Sequence, residues 1–177
     1  MASFIDSLTN AKHPIVLVQY KRDDLGQGDE PQLHWALHVI TSSRRLSGPS
    51  FQVIDRVHQD ERGKQWSLFY NPTDALIGNG KCLGGLQVGT VPHREVSALV
   101  DAVRAHEVKP KFEEWTCRDF VLELFELFKE RGWMRKELAD VAFNQKDLIP
   151  DLKVSSSATI SQARERRSFV PYVMYYP

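Results

Sequence analysis

Apolar positions recur with a period of two over the first half of the chain and a period near 3.6 over the second. Ile15-Val16-Leu17-Val18-Gln19-Tyr20 is rich in β-branched and aromatic residues and predicts a strand. After a polar stretch from Lys21 to Pro31, the run Leu33 to Ile40 predicts a second strand. Its alternation puts His34, Ala36, His38 and Ile40 on one face and Trp35, Leu37 and Val39 on the other. Thr41 to Ser50 is turn-like, with Gly48-Pro49 near its end. Phe51 to Val57 predicts a third strand, most simply a hairpin partner of the second. A polar turn at Asp60 to Gly63 leads to a fourth strand, Gln65 to Tyr70. A loop with Asn71-Pro72, Gly78 and Gly80 leads to a fifth, Leu86 to Val91.

Beyond residue 95 the period changes. Val96, Leu99, Val100 and Val103 fall at i, i+3, i+4 and i+7, the stripe of an amphipathic helix. Pro110 breaks it. Cys117, Phe120, Val121, Leu124, Phe125 and Phe128 mark a second, longer helix. Thr116 is a suitable N-cap, Asp119 and Glu123 suit the early turns, and Gly132 is a natural stop. Glu137 to Phe143 suggests a short third helix, Ala158 to Arg167 a further one, and Phe169 to Tyr176 a final strand or packed extended segment. Strands followed by helices predict an α+β fold, an antiparallel sheet of about five strands with helices after it.

Length and composition narrow the class. A chain of 177 residues is read as a single domain, residues 1–177, able to fold on its own core. With 42% hydrophobic and 26% charged residues, disorder throughout is excluded. The 23 basic and 23 acidic residues balance, so the electrostatic footprint of a general nucleic-acid binder is missing. No apolar run approaches the roughly 20 residues that cross a bilayer. The first fourteen residues carry Asp6 and lack a continuous apolar core, so they are not read as a signal peptide. Two cysteines, Cys82 and Cys117, make no disulfide framework, and the expected location is cytoplasmic.

Cys117 is the most informative residue. At the first turn of its helix, the dipole and free amides would stabilise a thiolate, the nucleophile of cysteine chemistry. Its place on the apolar stripe equally suits a small core residue. A base must come from elsewhere in the sequence; His34 and His38 share one strand face, and His34 lies nearer the strand mouth. Asp55, on the third strand with Phe51 and Val53, is a candidate to orient such a histidine, and His58 is the alternative. Gly84-Gly85 lacks the Lys-Ser/Thr of a phosphate loop, and neither the histidines nor the cysteines have zinc-site spacing. No cofactor or metal is expected. Arg164 to Arg167 is read as a solvated face, and Phe169, Tyr172, Tyr175 and Tyr176 as packing residues.

The strand His34-Trp35-Ala36-Leu37-His38-Val39, followed much later by Trp115-Thr116-Cys117-Arg118-Asp119-Phe120-Val121, resembles the circularly permuted papain-like group. That group includes lecithin:retinol acyltransferase-type proteins and, more distantly, NlpC-like and PPPDE-type peptidases. In them a histidine opening a strand precedes a cysteine opening a helix, the reverse of the order in papain. The pattern is also similar to a set of small fungal proteins with an H-W-A-L strand and a W-x-C-x-x-[WF]-V helix start. The resemblance covers about residues 15–133 and leaves 134–177 as a C-terminal extension. It implies Cys117 as nucleophile, His34 as base and Asp55 as the third polar group. Thr116 departs from the Asn often found before the cysteine, and Asp55 from the second histidine of acyltransferase relatives. The resemblance implies a cysteine hydrolase or acyltransferase that attacks an amide, ester or thioester of a small molecule or peptide and passes through an acyl-enzyme. The alternative is a binding module on the same fold without turnover.

Overall fold

The computed structural model describes residues 11–22, 33–61, 63–166 and 170–175. Six strands form one sheet: β1 (Lys12–Tyr20), β2 (His34–Val39), β3 (Ser47–Val57), β4 (Lys64–Ala75), β5 (Cys82–Pro92) and β6 (Val173–Met174). Their order across the sheet is β4-β3-β2-β1-β5-β6, antiparallel except where β6 runs parallel to β5. A short 3₁₀ turn at His93–Glu95 leads into α1 (Val96–Ala105), and then come α2 (Cys117–Glu130), α3 (Lys136–Ala139) and α4 (Gln145–Arg166). The architecture is α+β, strands first and helices after, as the change of period predicts.

The unbroken apolar run of β1 has a physical reason: both faces of this strand are covered. Ile15 and Leu17 enter the main core with Trp35, Leu37, Phe51, Val53 and the helices. Val16 and Val18 enter a smaller cluster on the opposite face with Ile40, Leu76, Cys82 and Val173. The two faces of β2 divide as its alternation predicts, Trp35, Leu37 and Val39 lying in the main core. Helix α2 is held against this face by Phe120, Leu124, Phe125 and Phe128, all buried. Each such side chain stabilises the fold by about 2 kcal/mol through its removal from water.

The strands run longer than their apolar runs suggest. β3 begins at Ser47 and β4 continues to Ala75 because the two strands pair from Ser47↔Ala75 to Val57↔Lys64. Main-chain pairing thus overrides the turn-like residues, and a register shift between Gly48 and Ser50 accommodates Pro49, which has no N–H to donate.

The C-terminal region differs most from expectation. The helix expected from Ala158 starts at Gln145, and the one expected over 137–143 is a single turn at Lys136–Ala139. Only Val173–Met174 of the expected terminal strand is paired, with Phe169 and Tyr176 outside the described residues. The polar stretch 23–31 also lies outside them. Helix α4 escaped the periodicity because much of its buried face is small and polar. Ser155 Oγ donates to the Tyr172 carbonyl at 2.7 Å, and the Tyr172 N–H donates to Thr159 Oγ1 at 2.8 Å. Gly84 of β5, at φ +100°, lies under Ser155, Thr159 and the Tyr172 carbonyl, where a Cβ would collide with all three. Among the described residues no helix is long and apolar enough to cross a membrane.

Two outcomes test this packing. Gly84→Ala should lower unfolding stability in urea by at least about 2 kcal/mol, since it combines left-handed backbone with a collision against α4. His38 is fully buried, and burial takes its pKa down to about 4 against smaller opposing contributions from Asp74 and the Leu46 backbone. The unfolded chain therefore binds the proton more tightly. Stability contributed by neutral His38 should be present above pH 6.5 and lost as pH falls towards 4, a total of roughly 3 kcal/mol. The same urea titrations on His38→Leu should show a flatter acid limb; an unchanged acid limb would reject the assignment.

Candidate active site

Cys117 is the first residue of α2, and the cap that starts this helix also sets its position. Thr116 Oγ1 accepts from the Arg118 N–H at 3.3 Å, while Asp119 Oδ2 accepts from the Thr116 N–H at 2.8 Å and from its hydroxyl at 2.9 Å. This capping box takes up the amides of residues 116 and 118. The Cys117 N–H has no acceptor among the described residues. Arg118, only 4% exposed, turns back to the sheet. Its Nε and one terminal nitrogen donate to the Leu33 carbonyl at 3.3 and 3.1 Å, and its guanidinium lies 4.8 Å from the Trp35 ring centroid. The Cys117 sulfur in turn meets the Trp35 backbone N–H. The start of the helix is thus fastened to Leu33-His34-Trp35, the start of β2.

The loop before the helix is fixed as well. Glu123 accepts from Trp115 Nε1 at 2.8 Å and lies 3.0 Å from His106 Nε2 and 3.2 Å from Lys111 Nζ. Burial alone would raise the Glu123 carboxyl, but these three partners hold it below the usual range. Trp115 then meets Trp66 of β4 edge to face, with centroids 5.2 Å apart.

A cavity of about 580 Å³ opens at this junction. His34, Asp55 and Cys117 all line it. His38 and His58 do not; His38 is buried in the sheet and His58 follows β3 at the far hairpin end. Register explains how the three lining residues relate. Because His38 pairs with Ser50 and Leu37 with Phe51, the His34 face of β2 continues onto Gln52 of β3. Asp55 belongs to the other face, with Phe51 and Val53. The group that meets the imidazole is therefore Gln52, whose Oε1 lies 2.7 Å from His34 Nε2. Asp55 instead pairs with Lys64 at 3.2 Å, and Lys64 lies over the Trp66 ring. The carboxylate acts on His34 only through its charge, which weakly favours the imidazolium.

An amide oxygen only accepts, so this contact puts the His34 proton on Nε2 and leaves Nδ1 with its lone pair. The electrostatics run against a standing ion pair. Burial lowers the His34 pKa, and the charges of Arg22 and Arg118 push the same way; the Gln52 contact opposes them. Burial raises the Cys117 thiol, against smaller contributions from the Trp35 amide and the two arginines. The helix start was expected to lower this thiol, but removal from water outweighs it. The resting site holds a neutral thiol and a neutral imidazole. Such a pair can do general-base chemistry, with charge developing only as the thiol attacks.

Gln52 and Arg118 are functional candidates that sequence reasoning missed. The His34 alternation, once paired in register with β3, points to Gln52, but that register was not readable from either strand alone. Among the described residues no group of three or more His, Cys, Asp or Glu is placed to hold a metal ion. No family model, curated protein or solved structure matches the chain.

The electrostatics give a direct readout. Iodoacetamide alkylation of Cys117, followed by intact mass in a Cys82→Ser background, should accelerate only at pH above the free-thiol value of about 8.5. Cys82, fully buried with its thiol pushed up to about 12, should stay unreacted in the native wild type. Gln52→Glu should raise the His34 pKa by about 1–3 units in an NMR titration, because a carboxylate stabilises the imidazolium. No movement of that resonance would remove Gln52 from the site.

Proposed function

We propose that this protein is a cysteine-dependent hydrolase or acyltransferase that works through an acyl-enzyme. The observation that carries the reading is that Cys117, at a capped helix start, and His34, its tautomer set by Gln52, line one cavity. The order of histidine strand and cysteine helix supports the permuted papain-like resemblance. His34 Nδ1 accepts the Cys117 proton as the sulfur attacks the carbonyl carbon of an amide, ester or thioester. The Cys117 N–H, which the cap leaves out, is available to the developing oxyanion. The tetrahedral intermediate collapses as the imidazolium gives its proton to the departing amine, alcohol or thiol. Water or a second nucleophile, deprotonated by the same nitrogen, then releases the acyl group and restores the thiol. Gln52 acts as a positioning residue, with Asp55 contributing charge. Two unpaired thiols suit a reducing compartment, and we place the protein in the cytoplasm on that basis.

A second reading is a binding module of the same fold. It is favoured by one observation: Cys117 is 7% exposed, and its thiol is raised rather than lowered.

Hydrolysis of a panel of p-nitrophenyl esters and aryl thioesters separates the two readings. Cys117→Ala should abolish turnover. His34→Ala should lower kcat/KM by about 10²–10⁴-fold, the usual worth of a general base. Gln52→Leu should lower it by roughly tenfold with the loss falling in kcat, and Gln52→Asn should restore part of it. Turnover that survives Cys117→Ala would remove Cys117 as the nucleophile, and none with any ester or thioester would leave the binding reading in its place.

A further inference from the structure

The cavity has a second side that the thiol chemistry does not use. Gln52 pairs with Phe69 and Ser50 with Asn71 across β3 and β4, so Gln52, Phe69 and Asn71 share the sheet face of His34. All four line the cavity, and Asp74 and Asn79 line it with them. The three carboxamides are held alike. Asn71 Oδ1 accepts from the Thr73 N–H and Asn79 Oδ1 from the Lys81 N–H, each at 3.1 Å, while Gln52 Oε1 faces His34 Nε2. A main-chain N–H needs an oxygen opposite it, which fixes the orientation of both asparagine amides. The oxygens are thus engaged within the protein, and the three NH2 groups have no partner among the described residues. Asp74 is the complement: its Oδ1 accepts from the Ala75 N–H at 2.9 Å, and its Oδ2 remains an acceptor. Phe69, 47% exposed, is a large ring on this face that neither apolar cluster takes in.

Neutral donors, one carboxylate acceptor and an aromatic ring select among ligands. An anion would meet the Asp74 carboxylate, and Arg22 and Lys81, which also line the cavity, have partners of their own. A long acyl chain would leave the NH2 groups without acceptors. A hydroxyl both accepts and donates. A sugar or polyol carries one on most of its carbons, so neighbouring hydroxyls accept from the amides and donate to Asp74, while the C–H face of the molecule packs on Phe69. We infer that this side of the cavity binds the uncharged, hydroxyl-rich part of the substrate, a sugar or polyol that is the alcohol half of the ester formed or broken at Cys117. In hydrolysis its oxygen leaves the carbonyl carbon and takes the proton held on His34 Nδ1. In transfer its hydroxyl gives that proton to His34 Nδ1, and the oxygen bonds to the carbonyl carbon as the Cys117 sulfur departs. This part in acyl transfer rests on the thiol reading above; the binding does not.

The test uses the full-length chain carrying Cys117→Ala, with a panel of methyl glycosides and glycerol as probes and cyclohexanol as the ring without the extra hydroxyls. Saturation-transfer NMR should show at least one glycoside or glycerol binding about tenfold more tightly than cyclohexanol, with no weakening as salt rises. Asn71→Asp and Asn79→Asp keep the oxygen that each turn requires and remove the NH2 donor. Each should weaken binding about threefold, and the two together about tenfold. In the chain with Cys117 intact, the double variant should raise KM for the acetylated form of the best probe by a similar factor. Should the double variant fail to fold, Phe69→Ser, at an exposed position, should weaken binding in its place. Equal binding of cyclohexanol, no binding, salt-dependent binding, or full affinity in the altered chains overturns the inference. Ester turnover at Cys117 without binding of any probe overturns it while leaving the thiol reading intact. Binding by a chain whose Cys117 proves inert supports the hydroxyl site and removes only its part in acyl transfer.

Discussion

The site depends on the fastening of the start of α2 to the start of β2. Arg118 is buried, and a buried guanidinium is tolerated only where its donors and its face are occupied. The Leu33 carbonyl and the Trp35 ring meet that need. The same contact brings Cys117 to the Trp35 amide and fixes where His34 leaves the sheet. Residues more than eighty positions apart in the chain thereby line one cavity. The capping box and the Glu123 cluster act on the same end of the helix, so its first turn is set from three directions.

Burial gives the site its electrical character. A helix start favours an anion near its free amides by a few tenths to about 1 kcal/mol, whereas desolvation of a nearly enclosed thiolate costs more. The thiol is held high and the imidazole low by one cause, which disfavours charge on both. Gln52 fits this arrangement better than a carboxylate would. A neutral amide fixes the tautomer without adding a second buried charge to the wall. Asp55, on the opposite face, keeps its charge near water and Lys64.

The parting of β2 from β3 joins these facts into a usable space. A sheet continued without a break would separate the His34 face from the face that carries α2. The ladder stops after two pairs, and the cavity reaches residues of both faces.

The sequence by itself determined the order of elements, the faces of β2, and the cap and stripe of α2. These rest on interactions within a few residues, the pleat of a strand, the turn of a helix and the side chains of Thr116 and Asp119. Cys117 and His34 were legible for the same reason, each marking the start of an element. The tertiary structure decided what those residues meet. Gln52 replaced Asp55 beside the imidazole because strand register is a property of two chains of backbone, and a side chain's face has no meaning until its partner strand is in place. Most of α4 escaped notice because Ser155, Thr159 and Gly84 pack through small polar surfaces that leave no apolar period. The raised thiol was equally out of reach, since burial comes from everything folded around a residue and the helix start only from its neighbours.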